Sequence, residues 1–157
     1  MELRTIAVID DDATTRKVLQ WILERQGFTV VAVANADEAQ AVCSEPKLAV
    51  AALIVDVRLR TEATGIDIAV AVRERFGDVP VLVTSGTPPE GWTERDFAGF
   101  KTLLGNADFI AKPFTASALV EKLTGLLNGT SAESALRLYN SAELHRSGLI
   151  ARANKKV

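Results

Sequence analysis

The chain is poor in the residues that usually carry redox, metal-thiolate or histidine chemistry: in 157 residues it has one cysteine, one histidine and one methionine. The single thiol, Cys43, excludes an intrachain disulfide and a cysteine-rich zinc site, and on the apolar side of a helix it reads as a small core residue. Aromatic residues make up only 6% of the chain, so the core must be built mainly from aliphatic side chains. No sign of charge dominates, since 18 Lys plus Arg stand against 20 Asp plus Glu for a formal net charge of −2. A phosphate-backbone binder needs a basic stripe, so direct DNA binding is not expected. No apolar run is long enough to cross a bilayer, and no signal-peptide pattern precedes the first strand. A soluble, cytoplasmic chain is the default expectation.

Apolar residues nonetheless make up 48% of the chain, enough to bury one sizeable core. They fall in a repeating order. Strands are predicted over 4–9, 28–33, 48–56, 80–84 and 107–111. Helices are predicted over 13–26, from Asn35 to Pro46, over 65–76, over 92–104, and from Thr115 to Gly129. Asp12, Asn35 and Thr115 stand where helix caps belong, and Glu38 completes a capping-box pattern with Asn35. In the first helix Val18, Leu19, Ile22 and Leu23 are the apolar positions. Trp21 and Trp92 read as partly buried packing residues. Strict alternation of strand and helix predicts an α/β fold: a doubly wound, five-stranded parallel sheet in the order 2-1-3-4-5, flavodoxin-like (βα)5. Residues 1–129 form this domain. Residues 130–157 form a polar tail in which Ala132, Leu136, Tyr139 and Glu143 suggest one loosely held amphipathic helix before a frayed basic end. A docking or dimerisation helix is the sharper alternative for that tail.

The chemistry sits at the carboxyl ends of the predicted strands, the edge where open parallel sheets bind ligands. Residues 6–9 lead into Asp10, Asp11 and Asp12; 51–55 into Asp56; 81–83 into Thr84 and Ser85; 109–111 into Lys112 and Pro113. Carboxylates held together raise one another's pKa unless a cation lies between them, and Mg²⁺ takes such oxygen ligands. Asp11 and Asp56 could each give an oxygen, the backbone carbonyl of Arg58 a third, and Asp10 could act through water. Asp56 can attack phosphorus as a carboxylate nucleophile. Phosphoryl transfer then needs positive charge and donors around the equatorial oxygens. Lys112, the Thr84 hydroxyl and backbone N–H groups near Val57 and Ser85 could supply them. Taken singly, each residue is an ordinary turn, cap or loop residue; their joint order across five βα units is what carries the reading.

On the strength of those residues, the segment from Arg4 to Asn128 resembles the receiver domain of bacterial two-component response regulators. The carriers are Val8-Ile9-Asp10-Asp11-Asp12, Leu53-Ile54-Val55-Asp56, Val83-Thr84-Ser85-Gly86 and Phe109-Ile110-Ala111-Lys112-Pro113-Phe114. The resemblance implies Asp56 as phosphoacceptor, Asp10 and Asp11 as the acidic pair that handles Mg²⁺, Thr84 and Lys112 as the switch hydroxyl and conserved-type lysine, and Phe109 as the switch aromatic. It implies a phosphohistidine donor on a sensor histidine kinase or a histidine phosphotransfer protein. It also implies a downstream protein partner met by helix four, strand five and helix five; a homodimer stays open. Such a protein is a phosphoacceptor rather than an enzyme, although it can catalyse its own phosphorylation from small acyl phosphates and its own dephosphorylation.

Two departures stand out. Arg60 takes the place where many relatives carry proline after the phosphoacceptor, in a slightly lengthened 60–64 segment. The stretch from Thr84 to Phe109, which holds Pro88, Pro89 and Trp92, is longer than usual. No output domain is expected after Gly129. A phosphorylation-independent pseudo-receiver is the alternative, with the Arg60 segment as its support. A phosphatase of the aspartyl-phosphate type is disfavoured, because Arg58 stands where such enzymes carry a second aspartate. Arg58 and Arg60 read as solvated surface arginines, and His145 as a solvated surface histidine.

Overall fold

A computed structural model describes residues 3–130 and 132–148. Five strands alternate with helices: β1 (Thr5–Ile9), α1 (Ala13–Arg25), β2 (Thr29–Val33), α2 (Ala36–Ser44), β3 (Val50–Asp56), α3 (Gly65–Phe76), β4 (Val81–Ser85), α4 (Glu94–Leu103), β5 (Ala107–Ala111), α5 (Ala116–Leu127) and α6 (Ala132–Arg146). The sheet is wholly parallel in the order β2-β1-β3-β4-β5, as the alternation predicts.

Successive strand residues point to opposite faces, so each strand feeds two cores. Ile6, Val8, Ile54 and Leu82 pack with Leu19, Leu23, Leu119 and Leu123 under α1 and α5. Leu53, Val55, Val81 and Val83 pack with Ile66, Phe100, Phe109 and Trp92 on the other face. Each such buried side chain contributes about 1.5–3 kcal/mol. Arg73 of α3 closes one corner, donating to the carbonyls of Val79 at 3.0 Å, Leu103 at 2.8 Å and Asn106. Burial pushes its pKa below the usual arginine value.

The caps follow the sequence. Asp12 accepts from the N–H groups of Thr14 and Thr15, and the Thr15 hydroxyl holds its pKa below the usual carboxylate value. Asn35 accepts from Glu38 N–H, but the Glu38 carboxylate reaches Ala34 N–H, one residue before the expected partner. Thr115 accepts from Ala118 N–H.

Three expectations need correction. Trp21 is 60% exposed and Val18 is 49% exposed, because α1 turns Leu19, Ile22 and Leu23 to the sheet. The Arg25 guanidinium covers the Trp21 ring instead, at 4.7 Å. The fourth helix begins at Glu94 rather than at 92: Pro89–Gly91 make a 3-10 turn, Trp92 is extended, and Thr93 caps α4 by accepting from Asp96 N–H. The helix of the tail is not loosely held. Its buried positions are Ala135, Tyr139 and Ala142, while Leu136 and Glu143 face solvent. Small alanines flanking one aromatic let the helix lie close to the core, which a leucine stripe would not. The side chain of Ala132 and the basic end at 149–157 lie outside the described residues.

One glycine governs how closely α3 approaches the end of β3. A Cβ at Gly65 would stand 1.9 Å from the backbone oxygen of Asp56, so α3 can start where it does only with hydrogen at that position. We expect Gly65→Ala to push α3 off the end of β3 and to lower stability by about 2 kcal/mol or more, read from urea unfolding. A loss much below that would mean the helix start adapts freely.

Candidate functional site

The carboxyl ends of β1, β3, β4 and β5 place the predicted residues together. Asp56 and Thr84 are register partners across the β3–β4 ladder, and Val83 lies opposite Phe109. Lys112 enters from the end of β5. Its Nζ lies 2.9 Å from Asp10 Oδ2 and 3.1 Å from Asp56 Oδ2, bridging the two carboxylates. The Lys112–Pro113 peptide is cis.

Asp10 is almost fully buried and doubly fixed. Its Oδ1 accepts from Asp12 N–H at 2.9 Å, and its carbonyl accepts from the Arg16 guanidinium at 2.7 Å. Arg16 is absent from the sequence-based site; Asp10 precedes α1 and lies six residues from Arg16, so no periodic signal points to it. Asp11 is more open. Its Oδ2 accepts from Arg60 N–H at 3.0 Å, with Arg60 Nε at 3.4 Å. Arg60 is therefore both solvated, with a side chain 92% exposed, and the partner of Asp11. Asp10, Asp11 and Asp56 can each offer a carboxylate oxygen within 4.8 Å of the others. An all-oxygen donor set of that size fits a hard divalent cation.

Burial pushes the Asp56 pKa above the usual carboxylate value, and the Asp10 charge adds to it, while Lys112 opposes it. For Lys112, burial works to lower the pKa, but the hydrogen bond to Asp10 and the charges of Asp56 and Asp10 win and leave it raised. The lysine stays charged and Asp56 is the strained member.

The remaining predicted groups lie around this core. Thr84 is buried and its hydroxyl donates to Val55 O across a long 3.4 Å. Arg58 N–H reaches Asp56 Oδ1, also at 3.4 Å. The Val57 N–H, expected to help cradle an anion, is already given to Thr84 O at 3.0 Å, because the β3–β4 ladder runs one residue further than the strand pattern suggests. Phe109 is buried and meets Trp92 edge-on, with ring centroids 5.5 Å apart. His145 is exposed, with Nδ1 3.2 Å from Ser141 O, far from any role in this cluster.

Residues 6–124 match the family described as the response regulator receiver domain. The chain belongs to that family. An NtrX-like response regulator of Rickettsia bellii is 31% identical over 121 residues, covering 76% of this chain and 24% of that protein. The transcriptional regulatory protein SrrA of Staphylococcus aureus is 28% identical over 127 residues, covering 81% of this chain and 49% of SrrA. The receiver domain thus spans at most about half the length of these curated relatives. Among solved structures, a response regulator receiver protein of Sinorhizobium medicae superposes with a TM-score of 0.67 at 25% identity, covering 81% of this chain and 96% of the other. A CheY-like receiver domain protein of Methanospirillum hungatei shares the fold with a TM-score of 0.70 at 20% identity, covering 84% and 99%. Among the described residues of this receiver domain, no helix is long and apolar enough to cross a membrane.

The electrostatics give a signed prediction. A carboxylate whose folded pKa is raised contributes stability below its unfolded pKa and loses it as pH rises through the folded pKa. At neutral pH, without divalent cations, Asp56→Asn should therefore unfold at a higher temperature than the wild type. The gap should close as pH falls through the Asp56 titration. Thermal unfolding in a chelating buffer checks this, and a less stable Asp56→Asn at neutral pH would show that Lys112 more than offsets the burial.

Proposed function

We propose that residues 1–129 act as a phosphorylation-switched receiver in a two-component phosphorelay, with 130–157 as an appended segment. The observation that carries this reading is the Asp56 carboxylate at the open end of β3, 3.1 Å from a lysine and clustered with Asp10 and Asp11. In the reaction, an Asp56 oxygen forms a bond to phosphorus as the phosphorus–nitrogen bond of a phosphohistidine breaks, and the departing imidazole keeps that bond's electron pair. Lys112 is poised to leave its carboxylate partner for a phosphoryl oxygen. Thr84, whose present hydrogen bond is long, can turn its hydroxyl to another.

Asp11, Asp56, the Arg58 carbonyl and, through water, Asp10 would hold Mg²⁺, which would offset charge on the phosphoryl oxygens. The donor is a sensor histidine kinase or a histidine phosphotransfer protein. The response is a change at the surface of α4, β5 and α5, transmitted through Thr84 and Phe109 to a downstream protein. A cytoplasmic location fits such donors. No direct DNA contact by these residues is proposed.

One observation favours a second reading. The grip of Arg60 on Asp11 gives that carboxylate a cationic neighbour of its own, which suits a pseudo-receiver that interacts without being phosphorylated.

Intact mass after incubation with acetyl phosphate and Mg²⁺ separates the two. We expect one phosphoryl adduct on the wild type and none on Asp56→Asn. Wild type left unmodified by several small donors and by a phosphorylated histidine phosphotransfer protein would leave the pseudo-receiver as the better account.

A further inference from the structure

The surface proposed for output is not open. α6 lies across it, packed on the Pro89–Gly91 turn and on β5. The sequence of α6 explains how. Ala135, Tyr139 and Ala142 fall at helical spacing on one side, and all three are buried. Tyr139 stacks on Phe97 of α4, with centroids 4.7 Å apart and planes 12° from parallel. Arg146, two turns further on, places its guanidinium 4.5 Å from the Phe97 ring and donates to Trp92 O at 2.6 Å. The opposite side is exposed and mostly polar, with a Glu133–Arg137 pair in solvent beside the exposed Leu136 and Leu144. α6 is therefore held by Ala135, Tyr139 and Ala142, with Leu138 partly buried beside them, and by one cation.

Trp92 links that surface to the site. Its ring meets Phe109 and Phe100 edge-on, each at 5.5 Å. Its indole N–H donates to Thr87 O at 2.8 Å, Thr87 N–H donates to Ser85 Oγ at 3.0 Å, and Ser85 O accepts from Lys112 N–H at 2.8 Å. The segment from Ser85 to Trp92 is thus tied at one end to the strands that carry Thr84 and Lys112, and at the other to α6.

We infer that the α4–β5 face is a binding surface for an amphipathic helix, that α6 is its tethered occupant, and that a phosphoryl group on Asp56 weakens this occupancy through the Trp92 segment. The coupling rests on the phosphoacceptor reading above. When the Thr84 hydroxyl turns from Val55 O to the phosphoryl group, the start of the segment moves. Phe109 and Trp92 then cannot keep both their mutual contact and the carbonyl position that Arg146 holds. The partner that replaces α6 would present the same recognition face: an aromatic between small residues, with a cation further along.

The test uses the full chain. Amide hydrogen exchange across α6 is followed before and after treatment with acetyl phosphate and Mg²⁺, with the adduct measured by mass in the same sample. Ala135→Glu, and Tyr139→Ser as a second variant, serve as undocked references. A synthetic peptide spanning 132–146 is titrated against wild type and both variants. We expect exchange in α6 to rise by about tenfold or more on phosphorylation, and the peptide to bind the variants at least about tenfold more tightly than the unphosphorylated wild type. An adduct with unchanged α6 exchange overturns the coupling while leaving the receiver reading intact. Equal peptide binding to wild type and variants overturns the occupancy. Absence of any adduct with acetyl phosphate, with other small donors and with a phosphorylated histidine phosphotransfer protein overturns the phosphoacceptor reading and the coupling together, and the peptide comparison then decides the occupancy alone.

Discussion

The ammonium of Lys112 is the element on which the carboxyl edge of this sheet depends. Asp10 and Asp56 are brought close by neighbouring parallel strands, and both are largely withdrawn from water. Unneutralised, two such charges repel at short range and each suffers from burial. One cation within about 3 Å of both makes the pair tolerable. It does so incompletely, since Asp56 remains the group for which ionisation is hard.

Much of this is legible in the sequence because it is local or periodic. The apolar runs, the Asp12, Asn35 and Thr115 caps, and the order of Asp10, Asp56, Thr84 and Lys112 along the strands need only sequence neighbours to be read. The rest is set by tertiary approach. Val18 and Trp21 are as apolar as Leu19 and Ile22, but the placement of α1 on the sheet leaves them outside. Gly65 looks like any helix-start glycine until the Asp56 carbonyl is placed against it. Val57 N–H is spent on Thr84 only because the ladder continues past the strand. The buried side of α6 is hard to read because alanines carry a weak hydropathy signal, while Leu136 and Leu144 carry a strong one on the exposed sides of the same helix.

The loops around the site are joined by side chains as much as by strands. Asp96 is buried at the start of α4, and its two oxygens accept from the hydroxyls of Thr64 and Thr93, the caps of α3 and α4. Arg95 adds an exposed link to Asp67 in the first turn of α3. Further along, Gly99 lets Ile66 approach the α4 backbone closely. α3 begins against Asp56 and α4 begins just after Trp92, so these contacts tie the helix start beside Asp56 to the one beside the α6 surface.

The strand order has a consequence for how the chain matures. Lys112 lies 102 residues after Asp10 and 56 after Asp56. A ribosome delivers the acids first and their cation near the end, while the early strands are already free to pair. Until β5 is in place, the meeting of β1 and β3 gathers negative charge with no lysine to answer it. The last strand therefore does more than complete the sheet: its arrival brings the one ammonium that bridges Asp10 and Asp56, so that a chain without it carries an unanswered charge imbalance at that edge.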